Sequence, residues 1–203
     1  MSRLIEMGKA AKDASVILAK LKTPEKNRAL NACADALEKN MDRVLEVNKK
    51  DVETAVANGI KGAFIDRLTL TEDRVRGMAD GLRDVAKLDD PIGEVLYMKT
   101  LDNGLIIGQK RVPMGVIGLC LKAGSATILR GGKEAFGSNT TVVNIFRETL
   151  ESIGLPADCV QMVEDTSRET ATEMMRLNGY IDVLIPRGGA GLIQSGVQNS
   201  TVP

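Results

Sequence analysis

From Pro113 onward the chain alternates short apolar runs with stretches of helical periodicity, and this alternation constrains the fold more than any other feature. Met114–Gly118, Ala126–Leu129, Val160–Val163 and Ile181–Ile185 each read as a short buried strand. Between them lie an amphipathic stretch from about Ser138 to Ser152, closed by Gly154 and Pro156, and a shorter one opening at Thr166 and closing at Asn178-Gly179. Thr166-x-x-Glu169 has the spacing of a helix-capping box. Buried strands that alternate with helices predict a parallel sheet with helices on both faces, because right-handed crossovers place a helix over the sheet each time. The expected class is α/β.

Ligands of such sheets bind beyond the carboxyl ends of the strands. Two arginine-bearing glycine turns fall there, Arg130-Gly131-Gly132 and Arg187-Gly188-Gly189. The second continues through Ala190-Gly191 into a helical pattern beginning at Leu192. A strand, a glycine turn and a helix start aim free backbone N–H groups and the positive helix end at an anion. The guanidinium adds charge and a planar fork of donors. The glycine spacing matches neither the dinucleotide fingerprint nor the phosphate loop, so either turn alone could be a plain βα connection. Two on one rim point to a phosphate-bearing ligand.

The chain before Pro91 reads as helices. Leu4, Gly8, Ala11, Ser15, Leu18 and Leu21 recur at helical spacing, as do Leu30, Ala34, Leu37 and Met41. A third helix carries Val44, Leu45, Val52 and Val56 and ends at Asn58-Gly59, a left-handed cap signal. Thr23-Pro24 predicts a cap followed by proline at the first helical position, and Thr69-x-x-Glu72 predicts the start of a fourth helix over about 72–88. Glu94–Thr100 and Leu105–Val112 read as extended, and the Asn103-Gly104 between them predicts a hairpin. A two-stranded hairpin is marginal alone in water, so it needs the body of the chain or a second subunit.

Composition excludes several classes. Lysine and arginine balance aspartate and glutamate at 27 each, so nothing favours nucleic acid or an anionic membrane. Aromatic residues are 2% of the chain, too few for base stacking. No apolar run reaches the ~18 residues of a membrane span, and the first residues lack a secretory pattern. There is no histidine, and Cys33, Cys120 and Cys159 are widely separated. Together these predict no metal site, no disulfide framework and a reducing cytoplasm.

One connection is too short. Only Gly118–Ser125 separates the first two predicted strands, whereas a parallel crossover needs about ten to twelve residues. As helix, such a stretch reaches only about 12 Å. Either these strands are not parallel neighbours, or part of a crossover is missing. Leu119–Gly124 reads as the last turn of a helix whose beginning is absent.

The runs R-V-P-M-G-V-I-G at 111–118, C-L-K-A-G-S-A-T-I-L-R-G-G at 120–132, V-E-D-T-S-R-E at 163–169, L-N-G-Y-I-D-V-L-I-P-R-G-G-A-G-L-I at 177–193 and N-S-T-V-P at 199–203 carry a resemblance. The chain resembles gamma-glutamyl phosphate reductase, also called glutamate-5-semialdehyde dehydrogenase, of the aldehyde dehydrogenase superfamily. The resemblance implies a Rossmann-like sheet, with 1–93 as the helical part of a nucleotide-binding domain, 94–112 as a projecting hairpin used for oligomerisation and 113–203 as its α/β part. It implies NADPH as cofactor, gamma-glutamyl phosphate as substrate, a cytoplasmic place in proline synthesis and a homodimer through 94–112. It puts Arg130, Gly131 and Gly132 near the adenosine ribose and its 2′-phosphate, and Arg187, Gly188 and Gly189 near the pyrophosphate.

Two departures stand out. After Gly118 the family continues with a segment holding an Arg-Pro-Asn-Val-Thr-like run, whose Asn helps hold the developing oxyanion; this chain passes directly to Leu119. The family also runs past Asn199–Pro203 into a catalytic domain that holds the nucleophilic cysteine, which would attack the acyl phosphate before hydride transfer. None of the three cysteines here has that context, so no catalytic residue is assigned, and the fragment is expected to be inactive alone. A non-catalytic nucleotide-binding or assembly module, and a fragment of another aldehyde dehydrogenase, remain alternatives.

Overall fold

The computed structural model describes residues 2–90, 92, 95–100, 106–110, 117–186 and 189–203. Helix α1 (Arg3–Leu18) starts where the Ser2 hydroxyl accepts from the Leu4 N–H, and it buries Leu4, Gly8, Ala11, Ala14 and Leu18 at helical spacing. Helix α2 (Thr23–Lys39) buries Ala29, Leu30, Cys33, Ala34 and Leu37. Thr23 is already inside α2 rather than its cap; Lys22 takes the cap position, and the Thr23 hydroxyl donates to Asp90 at 3.0 Å. Helix α3 (Met41–Ala57) buries Val44, Asn48 and Ala55, while Val56, expected on the apolar face, is exposed. Gly59 then adopts φ +83°, the left-handed cap its sequence signals.

A short helix absent from the sequence reading, α4 (Ala63–Leu68), precedes α5 (Glu72–Lys87). It displaces the expected cap. Thr69 closes α4 by donating to the Ile65 carbonyl, and Thr71 caps α5 by accepting from the Arg74 N–H. Strands β1 (Val95–Thr100) and β2 (Ile106–Lys110) form the antiparallel hairpin, with Met98 opposite Gly108; its Asn-Gly connection lies outside the described residues.

Helix α6 (Ile117–Lys122) occupies the end of the first predicted strand, the remainder of which lies outside the described residues. Gly124 at φ +70° terminates the helix, as the sequence signals. Strand β3 (Thr127–Leu129) follows. A 3-10 turn at Lys133–Ala135 leads into α7 (Phe136–Ser152), after which strand β4 (Val160–Met162) pairs parallel to β3, Ile128 opposite Gln161. Helix α8 (Arg168–Met174) is capped by Ser167 rather than Thr166, and α9 (Ala190–Asn199) begins two residues earlier than its pattern suggests.

The β3–β4 sheet carries helices on both faces. Leu129 and Met162 pack into the main core of α2, α3, α5 and α7, while Ile128 and Val163 pack into a smaller cluster with Leu4 of α1 and Met174 of α8. Alternate residues of a strand point to opposite faces, so one short strand joins both cores.

Ile181–Ile185, expected to be a buried strand, is not one. Val183 and Ile185 are 39% and 52% exposed. Of the main-chain groups from Asp182 to Ile185, only the Leu184 N–H is engaged in a main-chain hydrogen bond among the described residues, donating to the Pro203 carbonyl at 2.7 Å. A strand exists only through a neighbour that completes its ladder, and none lies beside this run among the described residues.

Two buried polar clusters fix the helical part. Lys26, 2% exposed at its side chain, donates from Nζ to both Asp90 oxygens, at 2.9 and 3.2 Å. Asn48 accepts from the Leu70 N–H at 2.7 Å and donates to the Leu68 carbonyl at 2.9 Å and to Ser138 Oγ at 3.1 Å, tying α3, the loop before α5 and α7 together.

Candidate functional site

A cleft of about 620 Å³ opens between α1, β3, the end of α8 and the segment Tyr180–Pro186. Lys12 and Ser15 of α1, Thr127–Arg130 of β3 and its end, and Met174 and Met175 line it together with that segment. The carboxyl end of β3, at Arg130, and the end of the 181–185 run, at Pro186, therefore reach the same cleft from segments far apart in the chain. Arg187 and Gly188, predicted to bind phosphate, lie outside the described residues. Gly189 is described; it sits at the N-cap of α9, and a Cβ there would meet no atom within 4 Å. The amides of the first turn of a helix have no intrahelical acceptor, so this open helix start offers donors and a positive dipole end to an anion.

The 130–132 turn is built differently. Arg130 Nη2 donates to the Thr166 carbonyl at 2.6 Å and the Ser167 carbonyl at 2.9 Å, bracing the loop that starts α8. Its Nε is buried without an acceptor among the described residues, so one donor of the guanidinium is unspent. A Cβ at Gly131 would come within 2.5 Å of Asn139 Nδ2 and 3.0 Å of Met162 Cε; glycine lets the turn lie against α7 and β4. A Cβ at Gly132 would come within 2.9 Å of a Glu134 carboxylate oxygen. The fit to a phosphate-bearing cofactor is thus uneven: the open start of α9 suits an anion, whereas the 130–132 turn brings one unspent donor together with a nearby carboxylate.

Asp165 stands in the loop that Arg130 braces. Its carboxylate accepts from Thr170 Oγ1, the Ser167 N–H and Ser167 Oγ, and these bonds, the Thr170 bond foremost, hold its pKa below the usual carboxylate range. All three cysteines are buried. Cys33 and Cys159 are buried, and burial pushes both thiols up to about 12, leaving essentially no thiolate near neutrality. Cys120, 4% exposed, packs at the end of α6. Among the described residues no cluster of Cys, Asp and Glu could hold a metal ion, and no helix is long and apolar enough to cross a membrane.

Sequence reasoning missed the α1 contribution to the cleft. Lys12 donates from Nζ to the Gly179 carbonyl at 2.5 Å, and Gly8 lies against Tyr180, so that a Cβ there would come within 2.8 Å of the Tyr180 Cβ. The one available signal was Gly8 itself, a glycine on the apolar face of a helix, which marks close approach by another segment.

No family model matches the chain. Among curated proteins it is similar, over its whole length, to the gamma-glutamyl phosphate reductase of Carboxydothermus hydrogenoformans at 53% identity and to that of Clostridium perfringens at 52%, covering 52% of each relative. The chain therefore spans about half the length of the curated relatives it matches. The first alignment runs over 218 positions against 203 residues, so about fifteen of its positions have no residue in this chain. Among solved structures, that of gamma-glutamyl phosphate reductase from Thermotoga maritima superposes with a TM-score of 0.94 at 36% identity, and that from Saccharomyces cerevisiae with 0.91 at 29%, covering 100% of this chain and 52% and 55% of theirs. An engineered glycolyl-CoA reductase with bound NADP+ shares the fold, with a TM-score of 0.64 at 18% identity over 97% of this chain and 45% of its own.

Proposed function

Because the chain is a homologue of the gamma-glutamyl phosphate reductases over its whole length and about half of theirs, we propose that it is the nucleotide-binding part of an NADPH-dependent enzyme that reduces gamma-glutamyl phosphate to glutamate-5-semialdehyde and releases phosphate. The observation that carries this reading is that Arg130 and Pro186, each at the end of a predicted sheet segment, line one cleft. A dinucleotide placed along that rim would meet the open start of α9 at Gly189 with its pyrophosphate, and the preceding residues Arg187 and Gly188 belong to the same proposal. The free Nε of Arg130 and its charge serve the 2′-phosphate end, with Gly131 and Gly132 shaping the turn. The NADP+ held by the engineered glycolyl-CoA reductase of the same fold supports a nicotinamide cofactor.

The cofactor would supply hydride, and this chain would supply its seat. The nucleophile that such chemistry needs is not among Cys33, Cys120 and Cys159, so the chain alone should bind without turning over. Titration with NADPH, followed by calorimetry, tests the first part; saturable binding is expected, and its absence overturns the cofactor role. Mixing the chain with NADPH and freshly made gamma-glutamyl phosphate tests the second, and NADPH oxidation above background would overturn the inactivity.

Assembly is the second element of the reading. Strands β1 and β2 pair only with each other among the described residues, and an isolated hairpin is marginal in water. The hairpin within 94–112 is therefore proposed as a homodimer contact, in a cytoplasmic setting. Sedimentation should give a dimer that becomes a monomer when Met98 and Ile107 are changed to lysine.

A further inference from the structure

We infer that Asn178 is a modification site, whose side-chain amide is converted to aspartate and isoaspartate with the Gly179 main-chain nitrogen as nucleophile. Two Asn-Gly pairs lie among the described residues, Asn58-Gly59 and Asn178-Gly179. They are closely matched. All four residues are exposed, both glycines have φ +83°, and a Cβ on either glycine would meet no atom within 4 Å. What separates the pairs is the glycine amide. The Gly59 N–H is held at the end of α3, donating to the Val56 carbonyl at 2.9 Å. Around Gly179 the chain turns over Leu177–Tyr180, and the Leu177 carbonyl takes the N–H groups of Tyr180 at 3.2 Å and Ile181 at 3.1 Å. Gly179 is the third residue of that turn, a place that suits its positive φ, and the amide of a turn's third residue takes no part in the closing bond. It belongs to an exposed residue and meets no acceptor among the described residues.

The reaction needs only water. The Gly179 nitrogen gives its proton to solvent and attacks Asn178 Cγ. The new N–Cγ bond closes an imide ring, the Cγ–Nδ2 bond breaks, and ammonia leaves. Water then adds to one of the two imide carbonyl carbons. Addition at Cγ leaves aspartate; addition at the main-chain carbon leaves isoaspartate, with the main chain running through the side chain. Glycine favours the attack because no Cβ shields its nitrogen. The place gives the change a consequence. The Gly179 carbonyl accepts from Lys12 Nζ at 2.5 Å, and Tyr180 lies against Gly8, so this turn clasps α1. Isoaspartate lengthens the main chain beside that clasp and adds a carboxylate, which shifts the turn against α1. This inference is independent of the cofactor reading, since it concerns the chemistry of the turn itself.

The test incubates the full chain in mildly alkaline buffer and maps its peptides by mass spectrometry, reading Asn58, Asn103 and Asn178 separately. Asn178 should convert about five to ten times faster than Asn58, the factor by which one main-chain hydrogen bond holds back the Gly59 amide. Its products should include isoaspartate, detected with an isoaspartyl methyltransferase. In denaturant, where neither amide is held, the two rates should converge. Asn178→Gln should remove the methyl-accepting site in this peptide and leave the Asn58 rate unchanged. Equal rates at Asn58 and Asn178 in the folded chain, or a faster Asn58, would overturn the inference. So would a difference that persists in denaturant, because it would then belong to the flanking residues and not to the fold.

Discussion

Arg130 reaches from the end of β3 to the main-chain oxygen of Thr166, donating from Nη2 at 2.6 Å. One side chain thus ties a strand end to the loop that starts α8, and it does so at the rim where the cofactor is proposed to sit. Its role in holding the loop and its role toward a phosphate can be separated by experiment.

Replacing Arg130 with alanine should weaken NADPH about tenfold more than NADH, because only NADPH carries the 2′-phosphate and a lost charged hydrogen bond is worth about 1.5–3 kcal/mol. Calorimetric titration with both cofactors reads the difference. Equal losses would assign Arg130 to bracing the 166–167 carbonyls alone.

Cys33 and Cys159 should resist a thiol reagent at neutral pH in the folded chain and react once it unfolds. Both are buried, and burial lifts their thiols to about 12. Mass-spectrometric counting of labelled sites with and without denaturant checks this; rapid labelling of either residue in the native chain would contradict it.

The Lys26–Asp90 pair should make stability fall in acid. Burial raises the Asp90 carboxyl, but hydrogen bonds from Lys26, the Ile92 N–H and Thr23 outweigh it and leave the folded pKa below the ordinary value. A folded pKa below the unfolded one adds stability above the unfolded value, and that stability is lost as pH falls through the folded value. Melting curves from neutral pH to about 3 should show a smaller acid loss in Asp90→Asn than in the parent. Lys26→Ala, which removes the cation and leaves the carboxylate only its Thr23 and Ile92 hydrogen bonds, should cost about 3 kcal/mol.

Asn48→Ala should destabilise the chain by about 1–2 kcal/mol, since it removes the partner of the part-buried Leu70 N–H and Leu68 carbonyl. Asn48→Asp should not rescue it, because a carboxylate cannot donate to the Leu68 carbonyl. Denaturant unfolding of both variants decides the matter.

Most of the helices were legible because their signals are local. The apolar spacing of Leu30, Ala34 and Leu37 survives in α2 as a buried face, and Gly59, Gly124, Gly154 and Gly179 take the left-handed conformation that their positions suggest. Caps were legible only to within a residue or two. Thr23, Thr69 and Thr166 all have capping chemistry, but which hydroxyl meets the helix start depends on where the preceding turn ends, as the unpredicted α4 shows for Thr69 and Thr71.

By itself, the order of residues determined the helical frame, the hairpin, the α/β class and the resemblance to the gamma-glutamyl phosphate reductases, because periodicity, turn chemistry and sequence runs are properties of neighbours along the chain. Tertiary structure decided what has no local signature: that Gly8 of α1 closes on Tyr180, that Arg130 spends one nitrogen on two carbonyls, and that Ile181–Ile185, a mostly apolar run with a strand pattern, joins no strand ladder among the described residues. A helix satisfies its own backbone, so its sequence suffices. A strand is satisfied only by another strand, and here the neighbouring place is a cleft.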